Sequence, residues 1–311
     1  MSLNDAIKTY HDLLTDEVAL ESQDQLDRQL EQRGLFFGDR PLSTVLRPRF
    51  LTPEQYTYMR RAIRPLLKAF AKISEAAVAD PQFRQQFHLL DWEEDLIQVD
   101  PGYSSHTPLS RLDAFFLTDS GDMRFTEYNA EVPAASAYND VLTKVFLGLP
   151  VMGKFLRHYV VRSLMTRHDV LHVLLQAYKE WGGVERPNIA ILDWREVPTY
   201  SEFELFIRFF IGQGFECRIV DPRDVEHKDG KLFAGNFVIN LIYKRVLITE
   251  LIERGGVDHP VVQAVRDGHV CMVNPFRCKI LYKKTSLAVL SDERNEDLFA
   301  KDERRAIQAH I

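Results

Sequence analysis

Residues 111–133, RLDAFFLTDSGDMRFTEYNAEVP, constrain the fold of this chain more than any other stretch. An apolar run carrying Arg111 and Asp113 meets a Ser120-Gly121-Asp122 turn. A second run then delivers Glu127 and Asn129 before Pro133 stops it. Strand, tight turn and strand predict a β-hairpin. Residues two apart on a strand point to one face, so Glu127 and Asn129 share a side, and the turn can bring Arg111 and Asp113 opposite them. Three oxygen ligands beside a guanidinium suit Mg²⁺ on nucleotide phosphates. The same pattern also fits the solvated face of an ordinary hairpin. The small-residue, proline-containing loop that follows, NAEVPAASAY (129–138), favours a crowded binding site instead.

R-x-D, a turn, then E-x-N and a proline resembles the metal-binding hairpin of the ATP-grasp ligases. The resemblance implies that Asp113, Glu127 and Asn129 hold magnesium on ATP, while Arg111 acts catalytically on the reacting phosphoryl and carboxylate groups. In most such chains the hairpin lies late; here it comes first, an order similar to the circularly permuted, glutathionylspermidine synthase-like members.

The second half of the chain reads as alternating strands and helices. Strands are expected at 188–194 (NIAILDW), 215–220 (FECRIV), 236–245 (NFVINLIYKR) and 270–274 (VCMVN). An amphipathic helix closed by Gly214 lies between the first two, and Lys228-Asp229-Gly230-Lys231 reads as a hairpin turn. Alternation of this kind argues for a parallel, doubly wound sheet. The segment resembles the pre-ATP-grasp domain of the same family, which implies cofactor-binding roles for Arg245 and Asn274. An Arg at the carboxyl end of a buried strand also suits a carboxylate on physical grounds; an ion pair with Asp221 or Glu250 is the plainer alternative. No G-x-G-x-x-G occurs, so a dinucleotide site is not expected.

The expected fold class is therefore α/β (α+β): a partial circularly permuted ATP-grasp fold with a helical N-terminal region and a Rossmann-like pre-ATP-grasp domain. The expected division is a helical region 1–90, the hairpin with its helices at 91–183, the α/β domain at 184–290, and a helical connection at 291–311. That last stretch, SDERNEDLFAKDERRAIQAHI, ends without a cap or a closing strand, and neither a VKP-type strand nor a glycine loop after one occurs. The expectation is an N-terminal portion of a longer enzyme. The resemblance implies an ATP-dependent carboxylate–amine (or thiol) ligase that works through an acyl phosphate, with ATP and Mg²⁺ as cofactors. Its substrates would be a small-molecule carboxylate and an amine or short peptide. A non-catalytic scaffold on a degenerate ATP-grasp fold, or a metal-dependent hydrolase using the same carboxylates, are the competing readings.

Elsewhere the signals are weaker. Thr52-Pro53-Glu54-Gln55 predicts the start of a helix running to about Ala79, with Pro65 kinking or splitting it. Leu96–Asp100 is expected to open the strand region, and Glu93-Glu94-Asp95 to be a solvated turn. His168 and His172 share a helical face but lack a third ligand for zinc. Lys283 and Lys284 read as solvated. Net charge −6 and pI near 6.0 give no reason to expect nucleic acid or a membrane surface as partner. No apolar stretch approaches a bilayer span and MSLNDAIKTYHDLL lacks a secretion signal, so no membrane association is expected. Three cysteines (Cys217, Cys271, Cys278) without a pairing framework suggest reduced core thiols and a cytoplasmic setting. The sequence leaves a homo-oligomer open.

Overall fold

The structure, a computed structural model, describes residues 2–117 and 120–311; Thr118 and Asp119, at the tip of the expected hairpin, lie outside the described residues. The chain forms two compact units, each assembled from three separated stretches.

The first unit takes residues 1–54, 134–171 and 195–212. It contains helices Leu3–Asp12, Asp16–Arg33, Ser136–Leu147, Pro150–Phe155 and Tyr200–Gly212, with a minimal hairpin of β1 (Phe36–Phe37) and β2 (Arg40–Pro41). Its interior is aromatic: Tyr10, Phe155, Phe203, Phe206 and Phe210 are fully or almost fully buried. Buried polar groups close its helix ends. Glu202 accepts from the Ala137 N–H at 3.1 Å, satisfying an otherwise orphaned donor in the first turn of Ser136–Leu147.

The second unit takes residues 55–133, 172–194 and 213–311. Most of the helix Pro53–Ala79 belongs here, and it runs unbroken through Pro65, which therefore does not split it. Burial of Leu66, Ala69, Phe70 and Ile73 just beyond the proline holds the helix across the missing hydrogen bond. The expected strand at Leu96–Asp100 is absent. Asp91–Leu96 is a short helix, started where Glu93 accepts from the Leu90 N–H at 2.9 Å, and Leu96 and Ile97 turn into the core.

The hairpin forms as expected: β3 (Arg111–Phe116) pairs antiparallel with β4 (Met123–Asn129). Its covered face packs Met123, Phe125 and Tyr128 with Leu66 and Phe70 of the long helix and with Ala306 and Ile307 of the helix Lys301–His310. Phe70 and Tyr128 ring centroids are 4.2 Å apart.

Four parallel strands make the main sheet: β5 (Ile189–Leu192), β6 (Cys217–Val220), β10 (Leu241–Lys244) and β11 (Cys271–Val273), in the order β11-β10-β5-β6. β5 is buried at all four positions, as a central strand covered on both faces must be. Between β6 and β10 the chain adds an antiparallel meander of β7 (Val225–Lys228), β8 (Lys231–Ala234) and β9 (Phe237–Ile239). Asp229 (φ 50°) and Gly230 (φ 68°) form its first turn, both in the left-handed region that a two-residue hairpin requires. The expected single strand 236–245 is thus two strands in two sheets. Asn240 breaks it: its side-chain oxygen accepts from the Asn188 N–H at 3.0 Å and its own N–H donates to Asn188 O, which re-aims the chain into β10.

Candidate functional site

The hairpin register sets Arg111 opposite Asn129 and Asp113 opposite Glu127, so the four side chains share one face. The Arg111 guanidinium grips Asp113 with two hydrogen bonds of 2.7 and 3.0 Å, and the Asn129 amide donates to the same carboxylate at 3.3 Å. The Glu127 side chain makes no hydrogen bond or ion pair among the described residues, so its carboxylate is open to a ligand.

That face exists because of a β-bulge. Asp113 pairs with Glu127, but the next residue, Ala114, pairs with Phe125, leaving Thr126 as an extra residue on β4. Before the bulge the odd positions Met123 and Phe125 are buried; after it the even positions Tyr128 and Ala130 are. Without the phase change Glu127 and Asn129 would follow Phe125 into the core. Bulges re-aim side chains in this way beside binding sites. The signal is present in the sequence as apolar residues shifting from 123 and 125 to 128, but simple alternation does not read it.

The base of the hairpin is fastened to the parallel sheet by Asn274. Its side-chain oxygen accepts from the Leu109 N–H at 3.0 Å, and its amide donates to Leu109 O, Ala130 O and Glu131 O at 2.6, 2.8 and 3.1 Å. Asn274 is buried and its carboxamide is committed to the chain's own backbone, so it positions the hairpin rather than facing a cofactor.

Glu131, buried two residues after Asn129, anchors a charged network that sequence reasoning missed. Its carboxylate accepts from the Ile248 N–H at 2.6 Å and lies 3.7 Å from Lys244 and 3.5 Å from Lys279. Lys279 lies 3.3 Å from Glu93, and Lys283 reaches Glu93 at 2.6 Å. Glu93 and Lys283 are therefore not solvated. Burial alone would raise the Glu93 carboxyl, but the hydrogen bonds from Lys283 and Leu90 and the charge of Lys279 outweigh it and hold it below the ordinary carboxylate range. Burial would lower the Lys279 amine, yet Glu131 and Glu93 keep it raised. Each carboxylate–lysine pair in this network joins distant parts of the chain, so no local motif announces it.

At the sheet, β5 leads to β6 on one side, whereas β10 and β11 lie on the other. The order of winding therefore reverses between β5 and β10, and open α/β sheets bind ligands at the carboxyl ends beside such a reversal. Asp193 follows β5 and Arg245 follows β10, with the Arg245 N–H bonded to Leu192 O at 2.9 Å. Arg245 donates to the Tyr243 hydroxyl at 3.4 Å. Asp221 also holds Arg223 at 2.7 Å, and Glu250 accepts from the Trp194 indole at 2.8 Å. Asp193 carries no sequence signature, yet burial pushes its carboxyl up to about 6, opposed by the Trp194 N–H and the charge of Arg245. Buried, perturbed carboxyls at strand ends are candidate site groups.

The remaining expectations fall away from this region. His168 is exposed, stands edge-on to Phe209 at 4.8 Å and joins no metal-binding cluster among the described residues. All three cysteines are buried and free, each with its thiol pushed up to about 12, chiefly by burial. No helix among the described residues is long and apolar enough to cross a membrane.

No protein-family model matches the sequence, and no curated protein matches it. The fold does match solved structures. The ligand-free structure of a glutathione synthetase-like effector, GSS30, from Globodera pallida aligns with a TM-score of 0.66 at 14% identity, covering 96% of this chain and 71% of that one. At that identity the likeness concerns the fold alone, a mixed α/β arrangement.

Proposed function

We propose that this chain carries the magnesium–phosphate face of an ATP-dependent carboxylate–amine or carboxylate–thiol ligase. The observation that carries the proposal is the bulge-turned face of the hairpin, where Arg111, Asp113, Glu127 and Asn129 converge. Two carboxylates and an amide oxygen are hard ligands of the kind Mg²⁺ takes, with the rest of its shell left for water and phosphate oxygens. When bound, Mg²⁺ neutralises charge on the phosphates during phosphoryl transfer.

Asp113, Glu127 and Asn129 would hold the ion. Binding would loosen the grip of Arg111 on Asp113, freeing a guanidinium for the charge that develops on the transferred group. Arg245, at the sheet's reversal point, would orient the substrate carboxylate through its planar fork. Asp193 beside it would receive the amine: a carboxyl near 6 is ionised at neutral pH and can attract a cationic nitrogen. Asn274 would keep the hairpin in register with the sheet that carries these groups. No protein nucleophile is called for, because the activated acyl group forms on the substrate itself. Circular permutation and membership of a longer polypeptide belong to the same proposal.

Calorimetric titration of Mg·ATP into the chain tests it, with Asp113→Ala and Glu127→Gln as comparisons. Binding that both variants abolish supports the reading. Equal binding in all three proteins would sink it, and binding by none would favour a scaffold built on the same fold.

A further inference from the structure

We propose a second metal site, remote in sequence from the hairpin, that takes a borderline divalent ion such as Zn²⁺. Its ligands are His227, Asp267 and His269. Their ligand atoms all lie within 4.8 Å of one another, and His227 Nε2 and His269 Nδ1 are 2.9 Å apart. A tetrahedral zinc with metal–nitrogen bonds near 2.05 Å separates its nitrogens by roughly 3.3 Å, so the imidazoles need part by only a few tenths of an ångström. Two imidazoles and one carboxylate, with a fourth position open to water, form a zinc donor set that Mg²⁺ disfavours.

The backbone beneath these residues is fixed before any ion arrives. His227 lies on β7, two residues from buried Val225 and thus on the same face, and the helix Pro260–Arg266 packs on that strand. The helix ends in a wound turn: Asp267 N–H donates to Gln263 O, Gly268 N–H to Val265 O and His269 N–H to Ala264 O. Gly268, at φ 68°, supplies the left-handed residue that this ending requires. Strand and helix end therefore present the three ligands together, although His227 and His269 lie 42 residues apart. Such an ion would clip the meander to the turn leading into β11. It neither uses nor depends on the nucleotide site.

The test uses the full chain, stripped of metal and titrated with Zn²⁺ against a chromophoric zinc chelator. Thermal unfolding is followed in parallel, because a ligand of the folded state raises its midpoint. The wild type should take up one equivalent and unfold at higher temperature with Zn²⁺ but not with Mg²⁺. Both effects should vanish in His227→Ala/His269→Ala and weaken in Asp267→Asn. A His168→Ala/His172→Ala control should behave as wild type. Absence of binding by the wild type, undiminished binding by the first double variant, or loss in the control would each overturn the site.

Discussion

Replacing Asp193 by Asn should make the protein more stable, and increasingly so as the pH rises. The carboxyl is 5% exposed and burial lifts it from an ordinary 3.8 to about 6. Below pH 3.8 the folded and unfolded states both hold the proton, and the group contributes nothing. Between 3.8 and 6 the unfolded chain has released its proton while the folded chain keeps it, so stability falls with rising pH. Above 6 the loss is complete. Across that pH interval, at about 1.36 kcal/mol per pH unit, the loss comes to roughly 3 kcal/mol. Asn is neutral throughout and retains an oxygen for the Trp194 N–H, which now donates to Asp193 at 2.9 Å. Urea unfolding of both proteins from pH 3.5 to 8, followed by far-ultraviolet circular dichroism, measures the difference directly; other titrating groups largely cancel. The two should agree near pH 3.5 and diverge to about 3 kcal/mol by pH 8. A difference that does not grow with pH, or an Asn variant less stable at pH 8, would refute the reasoning. It would mean that attraction to Arg245 and Lys244 exceeds the burial cost. A stabilising substitution that also removes ligand binding would mark Asp193 as kept for function at the expense of stability.

Glu131→Leu should lower stability by about 3–5 kcal/mol, because Lys244 and Lys279 lose the carboxylate that compensates their buried charge; the urea midpoint measures it. Asn274→Ala, which leaves the buried Leu109 N–H without its acceptor, should cost roughly 3 kcal/mol and weaken Mg·ATP binding without touching the ligand, as calorimetry would register. Burial, aided by Arg277, depresses His106 to about 4 from an ordinary 6.5. The unfolded chain therefore binds its proton first, and this group's contribution falls by up to about 3 kcal/mol as pH drops from 6.5 to 4. A His106→Gln variant should flatten that part of the stability–pH profile. The native protein should show no thiol reactive toward a disulfide reagent at neutral pH, and three after denaturation.

The parts of the fold that were legible in the sequence are those governed by neighbours in the chain. The hairpin, the Asp229-Gly230 turn, the helix opening at Pro53 and the parallel strands follow from alternation, caps and glycine placement, and each appears in the structure. The misreadings share a cause. Ile97 and Val99 look like strand residues, but a cap made by Glu93 starts a helix ahead of them. NFVINLIYKR looks like one buried strand until Asn240 finds Asn188 across the sheet. Glu93 looks solvated until Lys279 and Lys283 arrive from far along the chain. At the candidate site, Arg111, Asp113, Glu127 and Asn129 could be grouped because they are local. Asp193 and His227 could not, since their significance comes from partners contributed by other strands and turns.

The extra residue at Thr126 has a consequence for how this protein could change over generations. Loss of a single codon there would restore plain alternation to β4. Phe125 would then be followed directly by Glu127, so Tyr128 would stay on the covered face and Glu127 and Asn129 on the open one. Every acidic and amide residue of the candidate site would still be encoded, and a comparison of sequences would score them all as retained. The surface that gathers them would survive too, because the pairs Asp113–Glu127 and Ala114–Phe125 would become ordinary neighbours in the ladder. Thr126 is thus a place where this strand can lose a codon and keep its candidate site.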